Sequence, residues 1–265
     1  MKVGQLVSRL NEMIPPHLAE KWDNTGLMVG NPDDEVTGVM IALDYHEDLL
    51  AEAEARGCNF LFTHHPLIFK PIPRVDASDY VGGVIFSLVS KGIHLYCAHT
   101  NLDIVMGGVN DVLAAKLGLT NVSVLDVTGE FDGVPVGLGR AGDLSEPMRA
   151  VEFLGCIKKV LDVDSLAFSG DSEAMVSRVA VCGGSGGSLV DLARSRGCQM
   201  LVTGDVGYHT AQRALRVGLA LVDGTHYHTE SLCFSRMAEI VGQALDGDEA
   251  GIHILERQLN TFTRM

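Results

Sequence analysis

The sequence lacks the features that would indicate a nucleic-acid-binding or membrane protein. It has no run of Lys or Arg, and 34 acidic against 20 basic residues give a formal net charge of -14. Such a surface repels a phosphate backbone, so we expect no direct nucleic-acid binding. No apolar segment is long enough to span a membrane, and Val3, Leu6, Val7 and Leu10 predict an amphipathic helix, not a signal peptide. We therefore expect a cytoplasmic protein.

The cysteines also lack a pattern, since none forms a C-x-x-C pair. The six are Cys58, Cys97, Cys156, Cys182, Cys198 and Cys233. Most fall in apolar stretches, which favours reduced, buried thiols over a disulfide or cysteine-zinc framework. With 265 residues, 46% of them hydrophobic, the chain can bury one large core or two smaller ones.

An internal repeat is present at an offset of 140 residues. Residues 51–63 read AEAEARGCNFLFT and residues 191–203 read DLARSRGCQMLVT, with an apolar run before each. Each copy predicts a β-α-β unit in which Gly ends the helix. Chance similarity between two ordinary β-α-β units is the alternative, but the shared Arg-Gly-Cys triplet and final Thr favour duplication. We predict two related α/β lobes, residues 1–125 and 126–265, the second including a connecting region at 121–176 with a helix over 146–162.

Polar residues follow the predicted strands, where ligands of parallel α/β sheets bind. In the first half these are Asp44, His64, His65, His99, Asn101 and Asp103, and in the second half Asp205, His209, Asp223, His226, His228 and Glu230. Imidazole and carboxylate ligands suit zinc, manganese, iron or cobalt. The sequence therefore predicts a metal site in a cleft between the lobes.

The adjacent histidines favour two metal ions over one. Neighbouring side chains of a strand point to opposite faces, so His64 and His65 reach one ion only if the strand ends there. Two neighbouring ions can each take one imidazole, with Asp103 and Glu230 bridging or flanking them. His226 and Glu230 share a face on a helix, whereas in an extended segment His226, His228 and Glu230 share one.

The Gly-rich stretch at 182–193, CGGSGGSLVDLA, has two readings besides a tight turn. Backbone N–H groups there could hold a phosphate, but the G-x-G-x-x-G and P-loop spacings are absent. The segment GGSGG matches the G-x-S-x-G pattern of serine hydrolases. The acidic and histidine residues are better used as metal ligands, so we favour the turn.

In combination, several motifs resemble those of one family, the GTP cyclohydrolase 1 type 2 homologues, also called NGG-interacting-factor-three-like proteins. The motifs are EKWDNTGLMVG, FLFTHHPLIFK, YCAHTNLDIVMGGVND, VCGGSGGS, LVTGDVGYHTA and HYHTE. The resemblance implies two divalent metal ions held by His64, His65, Asp103, His226 and Glu230, with Glu230 bridging. It also implies two lobes facing each other across the metal cleft and a ring-shaped homohexamer. The short 121–176 region implies that the inserted domain of longer members is absent.

The activity implied by the resemblance is opening of the guanine imidazole ring of GTP by a metal hydroxide, giving formate and dihydroneopterin triphosphate. His99 and His209 are the candidate acid–base residues, and Thr63, Asn101, Asp205 and His228 the candidate supporting or substrate-contacting residues. Two alternatives use the same site: hydrolysis of a phosphoester or another cyclic amide, or a non-catalytic role as a metal-binding adaptor or metal-insertion protein. The sequence departs from the family pattern at Thr225, where Gly is frequent, and at His228, where a small residue is common.

Overall fold

The computed structural model describes residues 1–258, 260 and 261. The helices are α1 (Val3–Met13), α2 (Glu47–Ala55), α3 (Tyr80–Lys91), α4 (Thr100–Ile104), α5 (Val109–Lys116), α6 (Ala150–Leu161), α7 (Val190–Ser195), α8 (Tyr208–Val217), α9 (His226–Ser231) and α10 (Phe234–Leu245). The strands are β1 (Gly26–Val29), β2 (Gly38–Ala42), β3 (Phe60–Thr63), β4 (His94–Cys97), β5 (Thr120–Phe131), β6 (Val134–Arg149), β7 (Ala167–Ser169), β8 (Met175–Ser185), β9 (Met200–Gly204), β10 (Ala220–Asp223) and β11 (Gly251–Ile254). Short 3-10 helices lie at Pro16–Leu18 and Gly187–Leu189.

The chain divides into two compact units. The first contains residues 1–102 and the chain from Phe234 onward, and the second is Asp103–Cys233. This differs from the predicted division at 125/126, because the chain returns to the first unit after Cys233. The apolar face of α10 is buried there through Met237, Ile240 and Val241, and β11 pairs in parallel with β2.

The first unit is built on a five-stranded sheet in the order β1-β4-β3-β2-β11. Its strands are parallel except β1, which runs antiparallel to β4. Every residue of β2, β3 and β4 is buried, as expected for central strands covered on both faces. The apolar runs GVMIA and FLFT are therefore continuous instead of alternating.

The second unit contains a six-stranded sheet in the order β5-β6-β8-β9-β10-β7. Strands β8, β9 and β10 are parallel, and β7 is antiparallel to β10. The predicted connecting region supplies β5, β6, α6 and β7. Its helix begins at Ala150, later than predicted, because residues 146–149 belong to β6.

The predicted duplication is visible in the topology. Both units contain the succession helix, strand, strand, helix, strand, helix, strand, as α1 to β4 and as α6 to β10. In each, the first strand pairs antiparallel with the last. The register repeats as well, since Val39 pairs with Phe60 and Val179 with Met200, both shifted by 140.

All six cysteines are free thiols, as predicted. Five are buried, in agreement with the expectation for most of them, and Cys156 is exposed on α6. None of the helices in the described part of the chain combines the length and apolar character needed to cross a bilayer.

Candidate functional site

His64 and His65 lie where β3 ends, and the backbone turns as the prediction required. The Thr63 hydroxyl donates to the carbonyl oxygen of His65 (3.0 Å) and so fixes this turn. The two imidazole rings converge, with centroids 5.0 Å apart. His64 is fully buried, while the side chain of His65 is 21% exposed. The predicted pair is therefore assembled by the strand end itself.

Both rings are held through Nδ1. His64 Nδ1 lies 2.8 Å from the carbonyl oxygen of Ala98, and His65 Nδ1 lies 2.8 Å from Asp44 Oδ1. Carbonyl and ionised carboxylate oxygens only accept, so each Nδ1 carries the hydrogen. Each Nε2 then keeps its lone pair, which is the tautomer required of a metal ligand.

His99 follows β4 and belongs to the same group of rings. Its centroid lies 5.4 Å from that of His64 and 5.7 Å from that of His65. Its Nδ1 donates to Asp23 Oδ1 (2.7 Å), so Nε2 is again the acceptor. The structure thus brings His99 together with the two predicted ligands of the first unit.

Asp23, which the sequence analysis did not single out, contacts this group of rings. Its side chain is fully buried and accepts hydrogen bonds from His99 Nδ1, Thr100 N and Thr100 Oγ1. Burial alone would raise the pKa of Asp23, but the hydrogen bonds from His99 and then Thr100 outweigh it and lower this pKa to about 2. The EKWDNTG motif could have pointed to Asp23, because this carboxylate follows the one tryptophan of the sequence there.

In the second unit, α9 begins at His226, which decides between the helical and extended alternatives. His226 Nδ1 donates to Asp205 Oδ2 (2.7 Å), the same arrangement as at His65. His226 Nε2 lies 3.1 Å from Glu230 Oε1 one helical turn later, and Glu230 is buried. Asp205 is therefore hydrogen-bonded to His226, and His226 and Glu230 share a helix face.

Asp103 is tied to the strand end that borders α9. Asn110 donates from Nδ2 to the Asp103 carbonyl (2.9 Å) and accepts from Gly183 N (2.9 Å). Burial, and then the negative charges of Asp103 and Glu230, raise the pKa of the Cys182 thiol. Asp103, which the sequence analysis assigned to the first half, therefore belongs to the second unit with Glu230, and both carboxylates raise the pKa of one buried thiol near the end of β8.

Gly184 leaves space beside the donor atoms of α9. A Cβ at this position would lie 2.2 Å from Glu230 Oε1 and 3.2 Å from His226 Nε2, and the residue has a φ of +61°. Any other residue would therefore press on these two groups. Neutral imidazoles and carboxylates, the side-chain types of the predicted ligands His64, His65, Asp103, His226 and Glu230, are donors that suit a divalent transition metal. His64, His65 and Glu230 are candidate metal ligands on this chemistry and burial.

The two departures from the family pattern contact each other. Thr225 has a φ of +68° and its hydroxyl oxygen accepts from His228 N at the start of α9. The same oxygen lies 2.6 Å from His228 Nδ1. The Thr225 hydroxyl and His228 Nδ1 are therefore hydrogen-bonded to each other. His228 thus buttresses the helix cap that positions His226.

The other two predicted residues have different surroundings. Asn101 is buried and donates from Nδ2 to the carbonyl oxygen of Ile14 (3.0 Å), so this amide anchors the end of α1. His209 lies exposed on α8, where its ring contacts that of Tyr208. Their roles as a supporting residue and an acid–base residue stay predictions.

Comparison with known proteins decides the family. A sequence model of Duf34/NIF3 (NGG1p interacting factor 3) matches residues 1–261. The chain belongs to this family. The Duf34/NIF3 chain is 33% identical over 248 residues, 94% of each chain, to a "GTP cyclohydrolase 1 type 2 homolog" of Clostridium perfringens. It is 36% identical to a protein of the same name from Streptomyces coelicolor, covering 86% of this chain and 81% of that protein.

Solved structures of relatives have the same fold as this Duf34/NIF3 protein. A Bacillus cereus protein related to NIF3 superimposes with a TM-score of 0.92 at 26% identity, covering 100% of this chain and 99% of that one. The resemblance found in the sequence motifs and the predicted α/β fold class are both confirmed.

Proposed function

We propose that the protein is a dinuclear-metal hydrolase of the GTP cyclohydrolase 1 type 2 kind, with GTP as its small-molecule substrate. The observation that carries this proposal is the shared state of His64, His65 and His226. In each, Nδ1 donates to a protein oxygen, which leaves Nε2 as the ligand atom. The names of the relatives support a cyclohydrolase reaction.

The residues that would hold the two divalent ions are His64, His65, Asp103, His226 and Glu230. Zinc, manganese, iron and cobalt all accept this donor set. When bound, such a pair of ions lowers the pKa of water and polarises the bond to be cleaved. The overall reaction would open the guanine imidazole ring with water and release formate and dihydroneopterin triphosphate.

His99 is the proposed acid–base residue of the chain. Its Nδ1 hydrogen is held by the buried carboxylate of Asp23, so the proton exchanged with the substrate would be carried at Nε2. Asp23 would also hold the ring in position against rotation. His209 is the second proposed proton carrier, and Thr63, Asn101, Asp205 and His228 are the proposed supporting residues.

The direct test is formate release from GTP by protein loaded with zinc, manganese, iron or cobalt. We expect formate release with at least one metal. The rate of release should fall at least about a hundredfold in His65→Ala, because this variant loses a proposed metal ligand and with it the activation of water by the metal. His17→Ala is the matched control, since His17 is an exposed histidine on the Pro16–Leu18 turn.

Other results would contradict the proposal. Absence of formate with every metal, together with turnover of a phosphoester or another cyclic amide, would establish a different hydrolase. Metal exchange without turnover of any of these substrates would establish an adaptor or metal-insertion role.

The proposed setting is a ring-shaped homohexamer in the cytoplasm. Free thiols at all six cysteines support a reducing compartment.

A further inference from the structure

We infer that Trp22 and Phe69 form a stacking platform that binds the planar heteroaromatic part of the substrate beside His99. We call these two residues the aromatic platform. The inference rests on the proposed function for the position of the reacting groups, but the binding that it describes can be measured without any reaction.

The aromatic platform is exposed although its rings contact each other. The exposed fraction is 59% for Trp22 and 44% for Phe69. Their centroids lie 5.8 Å apart with planes inclined at 56°. Large exposed aromatic rings in contact offer a ligand apolar area at little conformational cost, because each ring has few rotatable bonds.

The platform is continuous with His99. The His99 centroid lies 6.1 Å from that of Trp22 and 6.4 Å from that of Phe69, and both contacts are edge-on. His99 is the more buried of the three, with a side chain that is 16% exposed. A ring placed on the platform therefore lies next to His99, whose own ring contacts those of His64 and His65.

The two segments that carry the platform are fastened together. Asn24 Nδ2 donates to the carbonyl oxygen of Ile68, which joins the residues following Trp22 to the residue preceding Phe69. The adjacent Asp23 is buried and holds His99 and Thr100. The rings are thus set before a ligand arrives, which lowers the entropic cost of binding.

The spacing specifies how a ligand ring would bind. A ring inserted between two parallel rings needs roughly 7 Å between them, twice the carbon–carbon contact distance. The 5.8 Å separation and the inclination of the planes do not provide that gap. The ligand ring would therefore stack on the exposed face of one platform ring and touch the edge of the other.

The charged residues next to the platform in the sequence indicate a second property of the ligand. Lys21 and Lys70 are the exposed chain neighbours of Trp22 and Phe69. In a chain with a net charge of -14, two lysines beside an aromatic pair favour a ligand with an anionic substituent. The substrate class is thus a planar heteroaromatic compound with an attached anion, as in a nucleotide.

The test uses the fluorescence of Trp22, the one tryptophan in the sequence. The purified full-length protein is titrated with GTP, guanosine and inorganic triphosphate. We expect quenching by GTP and by guanosine but not by inorganic triphosphate. Phe69→Ala should weaken GTP binding about tenfold, since stacking on one aromatic contributes about 1–3 kcal/mol per base. Phe86→Ala is the matched control, because Phe86 is 53% exposed on α3 of the same unit.

Three results would overturn the inference. The first is equal GTP affinity in Phe69→Ala and in the unaltered protein. The second is equal quenching by inorganic triphosphate and by GTP. The third is a wavelength of maximum Trp22 emission that shifts with protein concentration but not with guanosine. The last would show that another copy of the chain covers the platform. Quenching by guanosine without formate release would contradict the proposed hydrolase and support the platform. Formate release with an unchanged KM in Phe69→Ala would support the hydrolase and contradict the platform.

Discussion

At the scale of single residues, the histidines of interest share one hydrogen-bond arrangement. His64, His65, His99 and His226 each donate from Nδ1 to an oxygen that can only accept. The acceptor is a backbone carbonyl for His64 and a carboxylate for the other three. A carboxylate partner fixes the tautomer and the orientation of the ring, so that Nε2 is the atom available to a ligand or a proton.

Gly184→Ala should reduce bound metal while leaving the fold intact. The new Cβ would lie 2.2 Å from Glu230 Oε1 and would displace that carboxylate. We expect a loss of at least about tenfold in metal affinity, the scale seen when groups that orient ligands are removed. Metal content by mass spectrometry and isothermal titration measures it.

Gly57→Ala is the control for backbone strain. Gly57 has a φ of +69°, but a Cβ there meets nothing within 4 Å. Both variants should lose about 1–2 kcal/mol of stability from the left-handed conformation, and only Gly184→Ala should lose metal. An equal metal content in the two variants would contradict the assignment of the carboxylate.

Asp23→Asn should remove a pH-dependent part of the stability. The pKa of Asp23 is lowered to about 2 in the folded protein from 3.8. A lowered pKa contributes stability above the unfolded value, and this contribution is lost as the pH falls through the folded value. We expect the free energy of unfolding of the unaltered protein to exceed that of Asp23→Asn by about 2 kcal/mol at pH 7. This difference should shrink below pH 4. Urea unfolding with a chelator present measures it, and a difference independent of pH would refute the account.

At the scale of secondary-structure elements, Arg140 of β6 joins α5 to the chain after Asp103. Its guanidinium is fully buried and forms two 2.8 Å bonds to Asp111. It also donates to the carbonyl oxygens of Gly137, Gly139, Ile104 and Val105. The segment that follows a predicted metal ligand is thus held by a residue of the sheet.

Arg140→Ala should destabilise the protein by about 3–5 kcal/mol, because it removes a fully buried cation and leaves Asp111, whose side chain is 19% exposed, and four carbonyl oxygens without their donor. Arg178→Ala is the matched control on β8. The Arg178–Asp143 pair is 2.7 Å long but its side chains are 29% and 35% exposed, so its loss should cost at most about 1 kcal/mol. Chemical denaturation compares the two variants. Equal losses of stability in the two variants would show that burial does not determine how much these ion pairs contribute.

At the scale of the whole molecule, each of the two units contains the same succession of seven elements. Their strand ends have diverged in chemistry. Thr63-His64-His65 at the end of β3 corresponds to Thr203-Gly204-Asp205 at the end of β9, 140 residues later. The first strand end supplies two imidazoles, and the second supplies a carboxylate that supports His226.

The proposed ring predicts the mass of the protein in solution. A homohexamer of this 28.4 kDa chain has six times that mass. We expect analytical ultracentrifugation to give a species of about 170 kDa, six chains of 28.4 kDa. A stable monomer or dimer across micromolar concentrations would contradict the hexamer.

Much of this organisation is readable from local patterns. The repeat, the β-α-β units and the histidines at strand ends depend on residues close together in the chain, and hydrophobic periodicity and glycine positions reveal them. The sequence placed the start of α6 at residue 146, four residues too early, because residues 146–149 belong to β6, where Met148 pairs with Val176 and Arg149 with Met175. Local propensity contains no information on such pairing.

The sequence by itself determined the family, the duplication and which strand ends carry imidazoles, since these are properties of residue type and spacing. Only the tertiary structure decided that Asp23 holds His99, that Asp205 holds His226 and that the chain from Phe234 returns to the first sheet. Asp23 and His99 are 76 residues apart. Contacts at that separation form because the whole core buries its apolar surface together, and no local pattern in the chain specifies them.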